Sequence, residues 1–124
     1  QIQASVIGNG GDLFNQGSTT LAARFNGPAR ALRSAAEIVD MLGQAGQLVG
    51  AGIHTGEVDL SEAKAGGIAG EIAISVADLA EVGEVIVSRT VKDLSAGSGV
   101  NFEYFGTNQL ANMSESWDLY RVVN

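Results

Sequence analysis

Glu71, Ser75 and Asp78 set the first chemical question. Their spacing of i, i+4 and i+7 puts all three on one side of a helix. Two carboxylates and a hydroxyl in such a row make either an acidic site or an ordinary solvated face. Asp12 closes the run Gly8-Asn9-Gly10-Gly11-Asp12. A carboxylate in a tight turn can hold a hard divalent cation, or it can simply face water. The same glycines suggest a backbone cradle for phosphate, but no P-loop lysine follows, so the run is read as a loop. His54 is the one histidine and a conceivable general base. It lies in a turn with no carboxylate partner assured, and a structural role is the expectation. Lys64 sits in a polar, glycine-ended stretch and reads as a loop lysine.

Composition removes several function classes. The chain has 124 residues, the size of one domain. Apolar residues make up 45% and charged residues 17%, which favours a packed core over disorder. With no cysteine, disulfides, thiolate chemistry and Cys-based zinc sites are excluded, and a single histidine excludes a His-rich metal site. Seven basic against 14 acidic residues leave −7, which argues against nucleic acid or an anionic membrane as partner. No apolar run reaches the roughly 20 residues needed for a membrane span. No leader peptide is evident, and a cytoplasmic location is expected. The chain begins with Gln1 rather than Met, which reads as a cut in something longer.

The elements that must carry these residues follow from periodicity. Residues 1–7 alternate loosely, with Ile2, Ala4 and Val6 on one face, and predict a strand. Residues 19–25 predict a second strand, paired with the first through a long connection. Asn26-Gly27-Pro28 predicts a helix start with Asn26 as cap and Pro28 in the first turn. Leu32, Ala35, Ala36, Val39 and Leu42 form its apolar face, and Gly43 or Gly46 ends it. Residues 47–53 predict a strand, with 57–60 as its hairpin partner and 61–67 as a loop. Residues 68–80 predict a second helix with Ile68, Ile72, Val76 and Leu79 inward. Residues 84–87 predict a buried strand. A short helix over 90–94 follows, with Thr90 and Asp93 as a capping box. Strands over 101–105 and 117–122 close the chain, joined by 108–116. This order predicts one α+β domain over 1–124, with helices packed on a mainly antiparallel sheet.

Several segments, taken in order, carry a resemblance. Phe25-Asn26-Gly27-Pro28-Ala29-Arg30-Ala31, Gly52-Ile53-His54-Thr55-Gly56-Glu57-Val58, Gly66-Gly67-Ile68-Ala69, Gly83-Glu84-Val85-Ile86-Val87-Ser88 and Trp117-Asp118-Leu119-Tyr120 resemble motifs of the class III nucleotidyl cyclases, bacterial branch. The resemblance covers about residues 18–123. It implies a ferredoxin-like cyclase fold and cyclisation of ATP or GTP to a 3′,5′-cyclic nucleotide. It further implies two subunits meeting head to tail. One would supply two aspartates holding two divalent ions; the other would supply a purine reader and an Asn and Arg that steady the transition state.

Position by position, the resemblance is incomplete. The family's first strand, with its metal aspartate, has no counterpart here. The second metal aspartate falls at Thr19, leaving Asp12 as the candidate metal ligand by a displaced turn. The Asn and Arg positions fall on Glu71 and Ser75. At about 4 Å and an effective dielectric near 20, like charges repel by roughly 4 kcal/mol, so a glutamate there opposes a phosphate. The purine-reading position falls on Lys64, which cannot accept a hydrogen bond. Leu110-Ala111-Asn112 lacks the basic residue often present there. The expectation is a degenerate, N-terminally truncated cyclase homology domain without activity of its own. Its role would be regulatory, ligand-binding or dimerising, with a second copy or another protein domain as partner and a nucleotide as possible ligand. The alternative is a divergent cyclase working within a longer chain or dimer, and only then with Mg²⁺ or Mn²⁺.

Overall fold

A computed structural model describes residues 2–16, 21–25, 27–46, 49–54, 67–81, 83–110 and 116–123. Its element order is α1 (Ile2–Gly8), β1 (Asp12–Gln16), β2 (Leu21–Arg24), α2 (Pro28–Gln44), β3 (Ala51–Ile53), α3 (Gly67–Leu79), β4 (Val85–Ser88), α4 (Arg89–Leu94), β5 (Phe102–Gln109) and β6 (Ser116–Val122). The architecture is α+β, as the alternation of elements requires.

The first element corrects the strand expected over residues 1–7. A short stretch of small and apolar residues fits both periods, and packing decides. As a helix, α1 presents Ser5 to α2, and Asn9 follows just past its end. Ser5 Oγ lies 3.1 Å from Ser34 Oγ and donates to Glu37 Oε1 at 2.8 Å. Asn9 Nδ2 donates to Ser5 O at 2.8 Å and to Glu37 Oε1 at 3.1 Å, while Val6 is fully buried. The helix ends in a Schellman motif: Gly10 takes φ +79°, its N–H bonds Ile7 O, and Gly11 N–H bonds Val6 O at 2.8 Å. The glycine run is therefore a helix cap. The hairpin is formed by β1 and β2, antiparallel, with Asp12 opposite Arg24 and Gln16 opposite Leu21.

Helix α2 matches its expected span. Pro28 occupies its first turn, but Gly27 is the N-cap residue and no side chain caps it; Asn26 lies outside the described residues. Ala31, Leu32, Ala35 and Val39 pack on Ile53, Val85 and Val87. Strand β3 is shorter than expected, and residues 57–60 and 61–66 lie outside the described residues.

The main sheet has the order β3-β4-β6-β5. β3 runs parallel to β4, while β4–β6 and β6–β5 are antiparallel. Strand β5 extends beyond the expected 105 to Gln109, with an irregularity between Tyr104 and Gly106 that keeps Thr107 opposite Asp118. Both faces are covered. Val85 and Val87 look toward α2 and α4 (Val91), and Ile86 and Leu119 look toward Ile72 and Val76 of α3. Every residue of β4 is buried, as a strand covered on both faces must be. No helix among the described residues is long and apolar enough to cross a membrane.

Helix α3 sits unusually close to β3. A Cβ on Gly52 would fall 2.2 Å from Ala77 N and 2.7 Å from Ala73 O. One on Gly50 would meet Ala80 Cβ and Glu81 O at 2.8 Å. The pairing of Gly50 with residues 80–81 and Gly52 with residues 73 and 77 makes β3 and α3 antiparallel. The carboxyl end of β3, at His54, therefore lies beside the N-terminal turns of α3.

Candidate functional site

The backbone of α3 places Glu71 in its second turn and Ser75 one turn further, so the two share a face. Ser75 is half-buried and Asp78 exposed, which fits the polar side of a helix whose other side buries Ile72 and Val76. Nothing among the described contacts gives this face a cation.

At the end of β3, His54 is half-buried. Its Nδ1 lies 2.8 Å from Ser88 Oγ, at the end of the parallel neighbour β4. Its ring meets Trp117 of β6 edge-on, with centroids 5.3 Å apart and planes at 83°. Burial pushes the imidazole below its ordinary value of 6.5, so neutral His54 is favoured. Ser88 Oγ is also the N-cap of α4, accepting from Val91 N–H at 3.5 Å. This replaces the expected cap: Thr90 lies inside the helix, and the strand's last residue turns its hydroxyl to the orphan N–H. Residue types alone did not reveal the His54–Ser88 pair. The available signal was a serine at a strand–helix junction, three residues before Val91.

The remaining candidates are described only in part. Asp12 opens β1, opposite Arg24, at the end of the hairpin away from the 17–20 connection. About 13 Å of strand separates it from that connection. Thr19 and Lys64 lie outside the described residues. Leu110 is buried in the core beneath α3. Among the described residues, no three of His, Asp and Glu gather closely enough to hold a metal ion. An open groove between α2 and the sheet, lined by Val39, Asp40, Gly43 and Val85, lies on the opposite face from α3.

One charged cluster on the α3 side was not foreseen. Arg121 of β6 bonds Glu84 Oε2 and Glu103 Oε1, both at 2.6 Å, and its guanidinium lies 5.4 Å from the Phe105 ring centre. The bond from Glu84 is the main influence holding Arg121 above its ordinary value. Glu84 also accepts Glu81 N–H at 2.8 Å, tying the end of α3 to the sheet.

No family model matches the chain, and no curated protein sequence matches it. Solved structures do. An adenylate/guanylate cyclase/hydrolase from Silicibacter pomeroyi superposes with a TM-score of 0.85 at 22% identity, covering 99% of this chain and 77% of that one. The adenylyl cyclase CyaB from P. aeruginosa gives 0.69 at 14%, covering 99% and 76%. The guanylate cyclase domain of RhGC from Catenaria anguillulae, solved with GTP, gives 0.71 at 14%, covering 98% and 77%. At these identities the likeness establishes the fold, which is that of nucleotidyl cyclase domains.

Proposed function

We propose that this chain is a non-catalytic cyclase-like domain, cytoplasmic, with a regulatory, ligand-binding or dimerising role. The observation that carries the reading is the α3 face. The two positions that the resemblance assigns to transition-state stabilisation hold Glu71 and Ser75, on one side of a helix. The carboxylate there repels developing phosphate charge, and the neutral hydroxyl lacks the bidentate attraction that a guanidinium would give.

Dimerisation is part of the proposal. Among the described residues, β3 has β4 on one side and no strand on the other, and β1–β2 forms a separate sheet. An open strand edge is satisfied by pairing or by cover, and a second copy or another protein domain would supply it. A monomer in sedimentation at high micromolar concentration would refute this part.

The catalytic part is tested by incubating the chain with ATP or GTP and Mn²⁺ and following cyclic product. None is expected. Metal-dependent turnover that survives purification and disappears in Asp12→Ala would overturn the reading. It would favour the alternative of a divergent cyclase, which rests on the fold shared with a GTP-bound guanylate cyclase domain.

A further inference from the structure

We propose that His54 and Ser88 form a proton-gated latch, which holds the first turn of α4 to the end of β3 while His54 is neutral and releases it when His54 is protonated. The latch is independent of whether the chain binds or converts nucleotides.

The argument starts from the single hydrogen of a fully buried hydroxyl. Ser88 has no exposed surface. Its Oγ has two polar partners, Val91 N–H at 3.5 Å and His54 Nδ1 at 2.8 Å. The Val91 amide can only donate. The hydroxyl hydrogen therefore has one acceptor, the Nδ1 lone pair, and Nε2 carries the imidazole hydrogen. In this state the Ser88 hydroxyl hydrogen and the Val91 N–H both have partners.

Protonation of His54 turns Nδ1 into a donor. Ser88 Oγ then faces two N–H groups, and its own hydrogen loses the acceptor it had. Its two lone pairs can accept from both, but a buried hydroxyl hydrogen without an acceptor is unfavourable, and a change of the Ser88 rotamer that lets this hydrogen reach a new acceptor moves Oγ away from the Val91 amide and the ring. The Val91 bond, the longer of the two, gives way first.

Among the described side chains, no charge offsets this. On α4, Arg89 is engaged by Asp93 and Asp118, and Lys92 by Asp93. On β6, Asp118 accepts from Thr107, and Arg121 is held by Glu84 and Glu103. On α3, Asp78 is exposed. Trp117 presents a ring, not a charge. Burial is the cause of the imidazole's preference for the neutral form.

The test combines imidazole nitrogen NMR with amide exchange on the same chain. The spectrum should show hydrogen on Nε2 and none on Nδ1 at neutral pH. The protection factor of the Val91 amide, already corrected for intrinsic exchange, should fall about fivefold between roughly pH 7.5 and 5. His54→Gln should abolish that fall, and Ser88→Ala should give low protection at both pH values. A hydrogen on Nδ1 at neutral pH overturns the proposal without any variant. So does unchanged Val91 protection across the titration of His54, or a fall that persists in His54→Gln.

Discussion

Replacing Gly52 with alanine probes how α3 is positioned, and the magnitude follows from three backbone distances. The new Cβ would lie 2.2 Å from Ala77 N, 2.7 Å from Ala77 Cα and 2.7 Å from Ala73 O. Ordinary contacts begin near 3.4 Å, so helix and strand must part by about 1 Å. Backbone atoms cannot rotate away as a side-chain tip can. Overpacking of this kind costs about 3 kcal/mol or more. Unfolding entropy for 124 residues is about 0.26 kcal/mol/K, so Tm should fall by about 12 °C. Gly43→Ala is the matched control. Gly43 lies exposed inside α2 with nothing within 4 Å of its Cβ position. There alanine should stabilise by about 0.5–1 kcal/mol and raise Tm by about 2–4 °C. Thermal unfolding followed by circular dichroism measures both. If Gly52→Ala melts within about 3 °C of the parent, the close approach of β3 and α3 is wrong, and with it the placement of His54 beside the start of α3.

Two further outcomes follow from the core and from His54. Ile86 has no exposed surface and packs against Ile72, Val76 and Leu119; Ile86→Ala should lose about 2–5 kcal/mol in urea unfolding, and a loss below about 1 would contradict its central place. His54 also makes stability depend on pH. Its folded value lies below the unfolded 6.5, so in that window the unfolded chain binds the extra proton. The contribution is complete above 6.5 and declines as pH falls through the folded value. The difference in unfolding free energy between parent and His54→Gln should therefore shrink on acidification; a difference that grows would refute the assignment.

Much of the fold was legible because its long elements carry strong local patterns. The apolar face of α2 repeats over about three turns, with Pro28 at its start and glycine at its end. Helix α3 and the run Val85-Ile86-Val87 are similarly unambiguous. Helix α1 was not legible, because seven residues satisfied both periods and the choice rests on Ser34 and Glu37, far along the chain. The cap of α4 was misplaced by two residues because Ser88 and Thr90 are both good cap residues. Which one turns inward depends on where β4 ends.

The candidate site divides the same way. Sequence alone determined that Glu71 and Ser75 share a helix face, since helical spacing is a local property of the backbone. It also determined the α+β class and the absence of thiol chemistry. Only the tertiary structure decided that Asp12 opens a strand, that Gly52 sets the distance between β3 and α3, and that His54 meets Ser88 across 34 positions of sequence. These depend on which strand lies beside which. That is settled by burying two faces of one sheet at once, a condition on the whole chain that no local window contains.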